Sequence, residues 1–161
     1  WSGDLNESWA NVSPISKSCV AAAKVDKPST WAHCSHMLTT VLQVALGGAI
    51  GAVLRFLAGV GILRLVGPGY PVAVMTVNIL GSFAMGMFVV YAAQRGMTYL
   101  APLVMTGLLG GFTTFSAFSL EAVTLFERGS MGQALGYVTL SVVLSIGGLI
   151  LGLMISRGIW A

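Results

Sequence analysis

From residue 37 onward the polar residues gather at three short places, and each apolar stretch between them is long enough to cross a bilayer. A spanning helix needs about 20 mostly apolar residues. The first stretch runs from about Leu38 to Leu63, interrupted only by the charge of Arg55. Gly67-Pro68-Gly69 and Pro71 then force a turn, since Gly frees φ and Pro removes a donor. A second stretch, about Val72 to Ala93, ends at Gln94-Arg95-Gly96, and a third, about Thr98 to Phe126, ends at Glu127-Arg128-Gly129-Ser130. The fourth covers about Met131 to Ile155. The pattern predicts an all-α membrane protein of four transmembrane helices, with connections too short for a soluble domain.

Within the third stretch, Gly110-Gly111-Phe112-Thr113-Thr114 pairs two glycines with two β-branched residues, all poor helix formers. This predicts a helix broken in mid-membrane. Backbone groups freed there must face protein, water or an ion rather than lipid. Asn78 is an amide alone in the second stretch, and Tyr137, Ser141 and Ser145 lie four residues apart on the fourth. Each has a bland reading, as interhelical glue or as hydroxyls bonded to nearby backbone; together they also make what a narrow ion path needs. Small residues four apart, Gly47 with Gly51, Gly107 with Gly111 and Gly148 with Gly152, predict close helix packing.

Composition sharpens the picture. Of 161 residues 56% are hydrophobic and 8% charged, where a water-exposed domain carries roughly 25% charge. Residues 1–36 differ in kind: they hold every Lys, both His and both Cys, carry no net charge, and show no apolar period. They lack the basic and apolar regions of a secretory signal. Met37 is therefore expected to be the natural start, with residues 1–36 a non-native or disordered polar leader and 37–161 the membrane domain. Cys34 and His36 lack further ligands for a metal site, and the sequons at Asn6 and Asn11 match by chance composition. After Met37 there is no His, Cys, Lys or Asp, which argues against an enzyme. The net charge of +3 is scattered along span ends, so no nucleic-acid partner is expected. Arg64 and Arg128 fall on one side of the membrane, Arg95 and Arg157 on the other. Orientation follows an excess of Lys and Arg on one side, and this balance predicts a chain that inserts both ways.

Three blocks carry a resemblance. Gly47-Gly48-Ala49-Ile50-Gly51-Ala52-Val53-Leu54-Arg55, then Val77-Asn78-Ile79-Leu80-Gly81-Ser82-Phe83, then Gly110 through Glu121, are similar in content and order to the signature blocks of the Fluc (CrcB) family of fluoride channels. The resemblance covers about Met37 to Ala161. It implies a fluoride-specific channel of the inner (plasma) membrane that exports fluoride passively and protects the cell from its toxicity. It further implies an antiparallel, dual-topology homodimer with a structural sodium ion at its centre. On the matching positions, the backbone carbonyls of Gly110 and Thr113 would hold the sodium. Asn78, Phe115, Ser116, Phe118, Tyr137, Ser141 and Ser145 would line the fluoride pathway, and Arg55 would sit near an aqueous mouth. Two positions depart from the pattern: Ala117 and Val74 stand where the family commonly has Thr.

The chemistry of those residues agrees. Fluoride is small and strongly hydrated, so a pore must supply donors, as amide and hydroxyl groups can; a Phe ring presents a positive edge to an anion. The alternative is a small four-helix multidrug or cation exporter, which needs a titratable carboxylate inside the bundle. Glu121 and Glu127 are expected at or beyond the end of the third helix, which disfavours it.

Overall fold

A computed structural model describes the backbone of residues 28–67 and 71–160 and the side chains of residues 37–67 and 71–159. The leader lysines, Cys19, both sequons, and the side chains of His33, Cys34 and His36 lie outside the described residues. The chain divides into two units, Trp1–Val41 and Leu42–Ala161, and the packing below belongs to the second. Helix α1 covers Pro28–Val66, starting ten residues before the first apolar stretch, and α2 covers Val72–Gln94. The third span begins with a 3-10 turn, Thr98–Leu100, and an eight-residue π-helix, Pro102–Leu109. It continues as a short α3, Gly110–Phe112, and, after two extended residues, as α4, Phe115–Glu127. Helix α5 covers Met131–Trp160. Four segments, Met37–Val66, Val72–Gln94, Thr98–Glu127 and Met131–Ile159, are long and apolar enough to cross a membrane.

The turns close as their sequences dictate. Gly96 has φ +63°, and the Met97 N–H donates to the Ala92 carbonyl. Gly129 has φ +76°, with its own N–H donating to Phe126 and that of Ser130 to Leu125. Both are left-handed caps that satisfy the last carbonyls of a helix, a conformation that a Cβ disfavours.

Packing follows the glycines. A Cβ on Gly51 would strike the Leu108 carbonyl, and one on Gly107 would lie 2.9 Å from both the Gly47 Cα and the Val44 oxygen. Thus α1 lies backbone to backbone on the π-helix. Helices α2 and α5 meet the same way, with Gly86 against Leu149 and Gly152 against Phe83. All three predicted glycine pairs lie at such contacts; Gly86 adds one that the spacing did not reveal. Large apolar side chains such as Leu46, Phe56, Leu135 and Met154 point outward, while Ser141, Ser156 and Thr114 are buried. This is the reverse of a water-soluble arrangement, and it suits a protein whose solvent is lipid.

Gly107→Leu should therefore lower the thermal midpoint sharply or abolish assembly in detergent, since overpacking costs about 1–3 kcal/mol even where neighbours can yield and here they are backbone. Gly61→Ala, with nothing within 4 Å of its added carbon, should leave the midpoint unchanged.

Candidate functional site: the break in the third span

The break is held by one side chain. Thr113 (φ −78°, ψ 156°) and Thr114 (φ −151°, ψ 118°) are extended. Asn78 on α2 grips the second of them from both sides. The Thr114 N–H donates to Asn78 Oδ1 at 2.8 Å, and Asn78 Nδ2 donates to the Thr114 carbonyl at 3.1 Å. The Thr114 hydroxyl caps α4, accepting the Ala117 N–H at 3.3 Å, and lies 3.2 Å from the Ser116 hydroxyl. The Thr113 hydroxyl donates back to the Leu109 carbonyl at 2.9 Å.

These bonds decide which carbonyls lose their helical partners. In a continuous helix the N–H of residue i bonds the carbonyl of i−4. The Thr114 N–H goes to Asn78 instead of Gly110, and the Ala117 N–H goes to the Thr114 hydroxyl instead of Thr113. Gly110 and Thr113 are the two carbonyl positions that the resemblance implied for a cation. Gly110 is exposed on the surface of the protomer, and Thr113 is half-buried. Hard cations take oxygen ligands, and carbonyls that have lost their helical donors at a break suit that requirement.

Two open cavities flank the break. One, of about 370 Å³, is lined by Asn78, Phe115, Phe118, Ser141 and Ser145 among others, and has no charged residue in its wall. Asn78 keeps one of its two amide hydrogens after gripping Thr114. Ser141 is 4% exposed and its hydroxyl has no hydrogen-bond partner. Both are donors in want of an acceptor. Phe118 stacks on Tyr137 with ring centroids 5.5 Å apart and planes at 29°, and is tilted 43° to Phe115. One face of its ring is thus covered by Tyr137. The other cavity, of about 430 Å³, is lined by Arg55, Val74, Thr114, Ser116, Ala117 and Leu120. Arg55 and Ser116 are thus brought together, apart from the remaining predicted residues.

Tyr137 is placed differently from its stripe partners. It is wholly buried and donates to Glu121 Oε2 at 2.7 Å, while Ser141 and Ser145 face the first cavity. The expectation that both carboxylates lie at or beyond the end of the third helix is corrected here: Glu121 sits in the middle of α4, inside the bundle. The error came from counting Glu121 with the polar end of the span, although the helix runs on to Glu127. Phe118 and Glu121 are three residues apart and so share a face of α4; the signal was that face together with a buried Tyr hydroxyl, which wants an acceptor. Thr114, which closes the break and lines both cavities, was also missed as a site residue.

Comparison with known proteins places the chain among close relatives. Residues 42–153 match the family described as CrcB-like protein, Camphor Resistance (CrcB). A fluoride-specific ion channel FluC of Ruegeria sp. (strain TM1040) is 68% identical over 124 residues, covering 76% of this chain and 98% of that protein. The protein of the same name from Roseobacter denitrificans is 62% identical over 125 residues, covering 76% and 99%. That from Agrobacterium fabrum is 45% identical over 125 residues, covering 76% and 100%.

Asn78→Asp should test the grip. It keeps the acceptor for the Thr114 N–H but sets a carboxylate oxygen against the Thr114 carbonyl, and an unsatisfied buried polar group costs about 1–3 kcal/mol. A lowered thermal midpoint is expected, with Asn78→Leu, which loses both bonds, lower still.

Proposed function

The chain belongs to the CrcB (FluC) family of fluoride-specific ion channels, and on that footing we propose how its residues carry fluoride across the membrane. The ion moves passively, and the export protects the cell from fluoride. The observation that carries this reading is the uncharged cavity at the break, whose wall offers the spare amide hydrogen of Asn78, the unpartnered hydroxyl of Ser141 and the hydroxyl of Ser145. A fluoride ion leaving water must find replacement donors, and hydrogen bonds to a charged group are worth about 1.5–3 kcal/mol each. Phe115 and Phe118 narrow the passage, and their ring edges carry the positive part of the quadrupole. Arg55, beside Ser116 in the second cavity, attracts the anion at the mouth. Tyr137 supports Phe118 from below, its hydroxyl held by Glu121.

The same geometry argues for a second copy of the chain. Gly110 is exposed, and Phe115 is 79% exposed, at the middle of a membrane span. A freed carbonyl cannot face hydrocarbon, where each unsatisfied group costs several kcal/mol. An antiparallel homodimer covers this face with itself, and its two-fold axis brings together four carbonyls, Gly110 and Thr113 from each copy. A sodium ion bound there would supply the positive charge that those oxygens lack. The exporter alternative regains a carboxylate inside the bundle in Glu121, but membership of the channel family decides against it.

Purified protein in liposomes should release fluoride far faster than chloride, and collapse of a proton gradient should not stop it. The Phe115→Ile, Phe118→Ile double variant should lose most of that flux while still assembling; unchanged flux would mean that the rings are ordinary packing. A reporter fused after Ala161 should appear on both sides of the membrane, and adding two or three lysines to one turn should confine it to one side.

A further inference from the structure

The two cavities at the break have one residue in common: Thr114 lies in both walls, and among the described residues no other lining residue is shared. We propose that Thr114 is the residue past which fluoride travels between the Arg55 cavity and the Asn78 cavity, and that its side chain sets which anions make that passage. The inference rests on the fluoride reading above and extends it to a residue that reading does not use.

The backbone of Thr114 cannot yield, because Asn78 holds both its N–H and its carbonyl. Any opening between the cavities at this residue, which is 8% exposed, must come from its side chain. A threonine carries a hydroxyl and a methyl on the same carbon, and rotation about χ1 exchanges them among staggered positions. The hydroxyl's bonds are long: 3.3 Å from the Ala117 N–H and 3.2 Å to the Ser116 hydroxyl, just beyond the usual ranges of about 2.7–3.2 Å for N–H···O and 2.5–3.0 Å for O–H···O.

Hydrogen counting gives the side chain a role. The Thr114 and Ser116 hydroxyls own one hydrogen each, and one of the two is spent between them. When Thr114 donates to Ser116, the spare hydrogen belongs to Ser116, in the wall of the Arg55 cavity. When Ser116 donates to Thr114, the spare hydrogen belongs to Thr114, in the wall common to both. Reversal of one hydrogen bond therefore moves a donor from the Arg55 cavity to the boundary, and an anion can be handed along without losing it. The methyl group fills the rest of the gap, which admits a small anion more readily than a large one.

The test compares fluoride and chloride efflux from liposomes containing the full chain or its variants. Thr114→Val keeps the shape and removes the hydroxyl; fluoride flux should fall about tenfold or more, the loss of one hydrogen bond to an ion at the barrier. Thr114→Ser keeps the hydroxyl and the helix cap but removes the methyl; fluoride flux should persist while the fluoride-to-chloride ratio falls. A residue that merely caps α4 would alter the thermal midpoint and leave that ratio alone. Wild-type flux in Thr114→Val, or an unchanged ratio in Thr114→Ser, overturns the proposal, and the Ser variant decides alone if the Val variant does not assemble. Wild-type protein that passes no fluoride would instead sink the channel reading itself.

Discussion

Two hydrogen bonds between the Asn78 amide and the Thr114 peptide unit hold the rest of the site in place. A spanning helix can be interrupted only where its freed donors and acceptors find partners, because lipid offers none. An asparagine side chain is a peptide-like group with one acceptor and two donors, so it can replace the helical acceptor of the Thr114 N–H and add a donor at its carbonyl while remaining anchored on a different helix. The consequences run outward from there. Thr114 becomes the cap of α4, the Gly110 and Thr113 carbonyls lose their donors, and Phe115 and Phe118 emerge on the first turn after the break. Asn78 therefore holds the structure with one amide hydrogen committed and one spare for the passage proposed above.

The glycines explain why the break can sit so close to its neighbours. Apolar side chains gain nothing by leaving lipid tails, so helix association depends on close van der Waals contact. Gly47, Gly51 and Gly107 bring α1 against the π-helix that leads into the break, and Gly111 lies on Gly48 just before it. Gly81 does the same for α2, since a Cβ there would strike the Thr113 side chain. Larger residues would push α2 away, and Asn78 would no longer reach Thr114.

Much of this was legible in the sequence, for reasons that differ by feature. Four spans follow from apolar length, and the turns at Gly96 and Gly129 from polar clusters that end in a residue free to take positive φ. The break was legible because Gly-Gly and Thr-Thr are both poor helix formers. What holds the break was not, since the Asn78 to Thr114 pairing spans 36 residues and local preference carries no such information. The π-helix was hidden for a related reason: Pro102 marks where it starts, but the wider hydrogen-bond register depends on the fit against α1. Glu121 was misplaced because it was counted with the polar end of the span, whereas α4 runs on to Glu127 and sets Glu121 against the Tyr137 hydroxyl of another helix.

The two departures from the family pattern gain meaning from where they fall. Val74 and Ala117 are distant in sequence, yet both line the Arg55 cavity. Hydroxyls at those positions would have added donors to that wall. Without them, the donors among the lining residues are the Arg55 guanidinium and the single spare hydrogen of the Thr114 and Ser116 pair. The opposite cavity presents the reverse balance, with neutral donors and no charge. On the pathway proposed above, the two sides of the break would therefore hold an anion by different physics. On the Arg55 side the hold is mostly Coulombic, long in range and weakened by salt within a Debye length of about 8–10 Å. On the Asn78 side it is made of short, directional hydrogen bonds that salt does not screen. An ion drawn in by charge must give up that attraction before it meets the neutral donors. Thr114, which belongs to both walls, is on that proposal where one kind of hold gives way to the other.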